Sequence, residues 1–195
     1  MVISSERNFD ELKSNRYLDA QKIGRAIDIA LQEGAQYAEA RLVALTETDI
    51  RMKDSQIESA VPGQQVGLTL RVLVDGSWGI HSTTDYDQIH EQVPSTVKLA
   101  KAVANRRSSN MKPIDLAEVP IYQDEVHWEA KKDVRYTELD EKLSHMRDFT
   151  SSIKHDSIQS VKCGWMDEHI HTELLTSEGM DRVWSFQRTL MHATL

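Results

Sequence analysis

Two groups of residues in this sequence have the types that metal chemistry uses. The first is His90-Glu91. A zinc-hydrolase helix of the form H-E-x-x-H sets two imidazoles one turn apart and uses the glutamate as base. Here residue 94 is Pro94, and the wider H-E-x-x-x-H spacing meets Ser95. The second imidazole is missing, so the pair reads as solvated side chains on an amphipathic helix. The second group is Cys163, His169 and His171, a thiol and two imidazoles of the kind zinc or copper accepts. His169 and His171 share a face if they lie on one strand, and Cys163 shares it unless a turn intervenes. Asp167-Glu168 predicts such a break, so the expected arrangement is a wet sheet face with a structural cysteine.

Nucleophilic and phosphate chemistry leave no clearer trace. The sequence contains no G-x-S-x-G, the string that exposes a serine on a strained strand-to-helix turn, and no G-x-G-x-x-G or P-loop. Gly76-Ser77-Trp78-Gly79 reads as a hairpin corner. Trp78, Trp128, Trp165 and Trp184 are the residues that would mark a ligand groove or partner surface, but their commoner use is core or sheet-face packing. No catalytic, cofactor-binding or metal-binding residue is assigned from these patterns.

The elements around these residues are organised by Gln64–Ser82. Val66, Leu68, Leu70 and Val72 alternate with polar residues at the strand period of two, and Asp75-Gly76 predicts a tight turn with Trp78–Ser82 returning antiparallel. Before it, Ile23, Ile27, Ala30 and Leu31 define a first helix within Tyr17–Glu33, stopped by Gly34. Strands are predicted at Tyr37–Thr46 and Thr48–Met52, joined near Glu47, then at Ile57–Ala60 after the turn Lys53–Gln56, with Pro62-Gly63 as a break.

After the ribbon, Ile89, Val93, Val97, Ala100 and Ala104 define a second helix, capped within Thr83–Asp85, with Pro94 kinking or restarting it. Arg106–Val119 reads as a long surface loop that contacts something or acts as a lid. Ile121–Trp128 is extended, and Thr137 opens a third helix on Leu139, Leu143, Met146 and Ile153. Strands follow at Ser157–Met166, His169–Thr176 and Met180–Met191, broken by Asp167-Glu168 and Ser177–Gly179. The expected fold is α+β: mainly antiparallel sheet built from β-hairpins, with about three amphipathic helices packed on one face.

The 195 residues allow one substantial folded unit, here residues 17–195 behind a polar segment 1–16. The hydrophobic share of 39% and charged share of 28% are those of a water-soluble chain, and no apolar run reaches the ~20 residues of a membrane span. The N-terminus has no apolar signal region and Cys163 has no cysteine to pair with, so a reducing, cytoplasmic location is expected. A net charge of −8 disfavours direct nucleic-acid binding, which needs clustered cations; Arg106-Arg107 and Lys131-Lys132 read as solvated charges at element ends. The strand-like ending at Leu195 predicts that the chain is a fragment.

Three strings occur in an order that resembles the N-terminal region of the TldD/PmbA family: GAQYAEARLVALTETDIRMKDSQIESA, VGLTLRVLVDGSWGIHSTT followed by a helix, and LLTSEGMDRVWSF. That family was once described as modulators of DNA gyrase and is now regarded as metalloproteases. The resemblance implies a peptidase whose zinc is held by an H-E-x-x-x-H helix and a later cysteine. It also implies homo- or heterodimers of family subunits, and PmbA-type partners that lack the zinc ligands. His90-Glu91 lies in the wrong element, so no family ligand is carried over to a residue here. Two readings follow. One is the N-terminal, non-catalytic domain of a zinc-dependent peptidase acting on peptides or unfolded polypeptides, with the zinc site in a C-terminal region outside this chain. The alternative is a partner-binding or dimerisation module of a PmbA-type subunit.

Overall fold

The computed structural model describes residues 16–108, 110–153 and 155–195. Apart from Arg16, the polar segment expected over residues 1–16 lies outside them. The elements run α1 (Ala20–Gln32), β1 (Tyr37–Lys53), β2 (Gln56–Val74), β3 (Ser77–Thr83), α2 (Ile89–Arg106), β4 (Gln123–His127), a 3-10 turn (Val134–Tyr136), α3 (Leu139–Ser152), β5 (Lys162–Thr176) and β6 (Asp181–Thr194). The strands form one mostly antiparallel sheet in the order β3-β2-β1-β5-β6-β4, so the fold is α+β as expected.

The chain divides into two compact units. Among the described residues, unit 1 comprises those up to Leu42, Leu68–Asp124 and Glu173–Val183; unit 2 comprises Val43–Gly67, Glu125–Thr172 and Trp184–Leu195.

In unit 1, α1 begins at Asp19, whose carboxylate accepts from the amides of Gln21 (2.9 Å) and Lys22 (3.3 Å), and it ends at Gly34, with φ 98°. It buries Ile23, Ala26, Ile27 and Ala30; Leu31, expected on that face, is exposed. The predicted β2–β3 hairpin is present: Val74 faces Ser77, and Asp75 (φ 48°) and Gly76 (φ 65°) are both left-handed, as a two-residue turn matched to strand twist requires. Arg107, the C-cap of α2, donates to the carbonyls of Asp75 (2.6 Å) and Gly76 (3.2 Å), and Ile114 N–H donates to Gly76 O (2.9 Å). The long loop after α2 is therefore tied to the hairpin corner.

The cap of α2 is Gln88 rather than a residue of Thr83–Asp85. Thr83 Oγ1 instead accepts from Asp85 N (2.9 Å), using its capping capacity in a local turn. The helix runs through Pro94 without restarting; Pro94 is on the exposed side, where water can serve the carbonyl that proline leaves without a donor.

Unit 2 corrects several sequence expectations. Glu47 makes no turn, because β1 is one 17-residue strand. Pro62-Gly63 does not break the chain either: both lie inside β2. Strand β3 pairs with Leu68–Val74, so residues 56–67 of β2 reach past it as an edge, where proline's missing donor is tolerated. Asp167-Glu168 lies inside a continuous β5, which starts at Lys162 and not Ser157. Thr137 does not open α3; its hydroxyl donates to Asp133 O (3.0 Å), closing the 3-10 turn, and Glu138 is the N-cap. The buried face of α3 is Lys142, Leu143, Met146 and Thr150, while Leu139 is exposed and Ile153 is the C-cap. Leu143 and Met146 pack with Ile50, Met52 and Cys163, with Phe149 and Trp165 at the margin.

Gly79 of β3 is a point of close approach within unit 1. A Cβ there would sit 2.2 Å from Thr96 O and 3.1 Å from Ala100 Cβ of α2. Gly79→Ala is expected to cost about 1–3 kcal/mol, because a helix backbone must shift. Gly24→Ala in α1, where a Cβ meets nothing within 4 Å, is expected to gain about 0.5–1 kcal/mol. Urea unfolding midpoints of the two variants against the parent check both signs.

Candidate functional site

The candidate site lies in unit 2 and is built on a lysine the helical pattern places facing inward. Lys142 is one turn from Met146 on the buried face of α3, and its side chain is 5% exposed. A buried ammonium requires a partner, and Asp167 of β5, 3% exposed, supplies it. Lys142 Nζ lies 2.9 Å from Asp167 Oδ2 and donates to Asp167 Oδ1 (3.2 Å) and Thr48 Oγ1 (3.0 Å). Trp165 Nε1 donates to Asp167 Oδ2 at 2.6 Å, and the Trp165 ring stacks on His145 at 6.1 Å.

This network forms part of the wall of a cavity of ≈ 430 Å³, with Glu47, Thr48, Gly63 and Arg135 among the other lining residues. Arg135 is gripped by Asp133, with Nη2 to Oδ2 at 2.6 Å, and its guanidinium lies 5.4 Å from the Tyr136 ring centre. The Arg135 pairing holds the Asp133 carboxyl below its ordinary range. Gly63 gives Glu47 room to lie against β2, since a Cβ there would meet Glu47 Cγ and Oε1 at 3.0 Å.

Because β5 is continuous, Cys163, His169 and His171 do share one parity. They are not brought together, however. Six residues of strand put Cys163 roughly 20 Å from His169. Cys163 is packed in the unit 2 core, where burial pushes its thiol pKa up, and it is unpaired. His169 is pushed down to about 4, first by burial and then by Arg135, with His171 and His127 acting in the same direction and Asp133 opposing. His90 lies in the first turn of α2 with Pro94 one turn on, as the sequence showed.

Sequence reading missed Lys142, Thr48 and Asp167 as a set. The available signal was a lysine at an inward helical position, which needs a carboxylate from elsewhere in the chain. Of the tryptophans, Trp78 packs edge-on against Tyr37 at 6.0 Å and beneath Arg71 at 4.7 Å, and Trp165 packs as described. Trp128, expected to pack, is 74% exposed and touches Phe186 at one edge.

With this geometry established, comparison with known proteins places the fold. Residues 38–104, from β1 to the end of α2, match the family model described as PmbA/TldA metallopeptidase domain 1. The match covers about a third of the chain and is a likeness of that segment. A curated relative, the metalloprotease slr0863 of Synechocystis sp., is 25% identical over 158 residues, 78% of this chain and 33% of the relative. Three solved structures share the fold. A protein described as a modulator of DNA gyrase from Bacteroides thetaiotaomicron aligns with TM-score 0.65 at 18% identity, over 89% of this chain and 40% of that one. Its counterpart from Thermotoga maritima gives 0.62 at 14%, over 88% and 38%. TldE from Thermococcus kodakarensis gives 0.58 at 18%, over 87% and 38%. The chain thus spans a third to two-fifths of the length of these relatives.

Zinc, which the family resemblance implies, does not fit here. Among the described residues no three His, Cys, Asp or Glu side chains converge as a metal site. No helix of the described residues is long and apolar enough to cross a membrane.

Two outcomes follow. Asp167→Ala leaves the Lys142 charge buried without its partner and is expected to destabilise by about 3–5 kcal/mol, whereas the double change Lys142→Met with Asp167→Leu recovers most of that loss. Chemical denaturation of the two variants checks this. For His169 the folded pKa lies below the ordinary 6.5, so the unfolded chain takes up the proton first. Its contribution is complete above about pH 6.5, is lost as pH falls, and levels off near pH 4. His169→Gln is expected to flatten the stability curve across that window, read from thermal midpoints at each pH.

Proposed function

We propose that this chain is the N-terminal, non-catalytic domain of a TldD/PmbA-type zinc-dependent peptidase acting on peptides or unfolded polypeptides. Its catalytic zinc site lies in a C-terminal region that these residues do not include. The observation that carries the reading is the match of residues 38–104 to metallopeptidase domain 1. It is supported by a metalloprotease relative three times as long as the stretch it shares with this chain. In this reading the domain is cytoplasmic and works within a homo- or heterodimer of family subunits.

A non-catalytic partner-binding or dimerisation module of a PmbA-type subunit is the second reading. It is favoured by Trp128 and Tyr136 of unit 2, which are 74% and 67% exposed, since interfaces are enriched in such rings.

The deciding experiment reads the coding frame beyond Leu195 and assays the longer protein on an unfolded peptide. An H-E-x-x-x-H helix with a downstream cysteine, and cleavage abolished by a chelator and restored by zinc, is the expected result. A frame lacking that motif favours the partner module. Chelator-sensitive cleavage by the 195 residues alone overturns both.

A further inference from the structure

We propose that the face of the unit 2 sheet opposite α3 is the seat of the polypeptide that follows Leu195 in the longer protein. This inference rests on the reading above, in which the protein continues beyond these residues.

Strand alternation separates the two faces of β5 and β6. Cys163, Asp167 and Met191 point toward α3: Cys163 and Met191 pack with Leu143 and Met146, and Asp167 meets Lys142. The intervening residues, Met166, Glu168 and Ile170 of β5 and Phe186, Arg188 and Leu190 of β6, therefore share the other face. Arg188 pairs with Glu168 across the two strands, and the His192 ring lies against Gly164. That register sets Leu190 beside Met166 and Phe186 beside Ile170. Trp128, just past β4, adds its ring next to Phe186, with centres 6.1 Å apart. The result is one continuous apolar patch with an ion pair inside it.

Among the described residues α3 is the one α-helix of unit 2, and it lies on the opposite side. Trp128 is 74% exposed and Leu190 53%, while Met166, Ile170 and Phe186 are half-buried. A single exposed leucine needs no explanation, but a contiguous patch of this kind marks a surface that another element covers.

Two observations choose the occupant. The curated relative is about three times as long as the stretch it shares with this chain, so most of such a protein lies outside a segment like this one. Strand β6 itself builds the patch and runs on to Thr194, so a segment that follows it starts at the rim of the patch. Such a short tether holds it there at an effective concentration of roughly millimolar. A second copy has no tether and brings a further charge of −8 toward the first. The patch asks two things of its occupant: apolar side chains over Trp128 and Leu190, and an acceptor for Arg188, whose Nε is bonded to Glu168 while its side chain stays 63% exposed.

Hydroxyl-radical oxidation read by mass spectrometry tests this on the longer protein, with the 195-residue chain alongside. In the 195-residue chain, oxidation of Trp128 is expected to be fast and independent of chain concentration. In the longer protein it is expected to fall about fivefold or more at every concentration, as for a ring that passes from 74% exposed to buried. Leu190→Asp in the longer protein, with circular dichroism unchanged, is expected to return Trp128 to the rate of the 195-residue chain. Equal oxidation in the two proteins overturns the inference, and so does oxidation untouched by Leu190→Asp. Protection that grows with chain concentration assigns the face to a second copy or partner subunit and also overturns it. A coding frame that stops at Leu195 overturns it together with the peptidase reading. A longer frame without the zinc motif defeats the peptidase reading alone, because Trp128 protection is read without catalysis.

Discussion

Strand β5 imposes the constraint on which most of this structure turns. It carries three buried carboxylates, Asp167, Glu168 and Glu173, at 2%, 7% and 0% exposure. Each buried charge costs several kcal/mol unless it is paired, roughly. Each is paired by a different element: Asp167 by Lys142 of α3, Glu168 by Arg188 of β6, and Glu173 by the backbone amides of Tyr17 and Leu18 just ahead of α1. Oily packing tolerates some sliding of a helix over a sheet, but a buried carboxylate demands its donor at one position. The polar pairs therefore set register while Ile50, Met52, Leu143 and Met146 supply the bulk of the burial in unit 2.

The same logic recurs in unit 1, on a smaller scale. Glu39, buried on β1, accepts from Tyr37 Oη (2.7 Å) and Arg71 Nε (2.7 Å), and Arg71 in turn lies over Trp78. Burial, reinforced by the Glu39 contact, drives the Tyr37 hydroxyl well above its ordinary range, so it stays a proton donor at any physiological pH. These groups link β1, β2 and β3 by side chains in addition to the backbone ladder. None of them lines the cavity described above. In unit 2 the equivalent pairing of Lys142 and Asp167 lines a cavity, and that difference makes it the candidate site.

Much of the architecture was legible from the sequence alone because its signals are local. The Asp75-Gly76 corner depends on two left-handed residues, and Asp-Gly is the dipeptide that adopts them most readily. The inward faces of α1 and α2 follow from apolar spacing, and the end of α1 from Gly34. The α+β class and the PmbA/TldD resemblance were legible for the same reason, since both rest on contiguous strings. That His90-Glu91 does not continue as a zinc helix followed directly from Pro94 and Ser95 standing where histidine is required.

What the tertiary structure alone decided is the fate of the charged and breaking residues. Glu47, Pro62-Gly63 and Asp167-Glu168 were all read as breaks, and all lie inside strands; Asp167 and Glu168 meet partners distant in sequence there. Lys142 and Asp167 are separated by 25 positions, and Lys142 and Thr48 by 94. No window of local periodicity can register such pairs. The continuity of β5 also settled the fate of Cys163 and the two histidines: the shared face that parity required is present, but strand length sets them apart. Local chemistry determined the hairpins, the helices and the family resemblance; burial of charge decided which side chains meet.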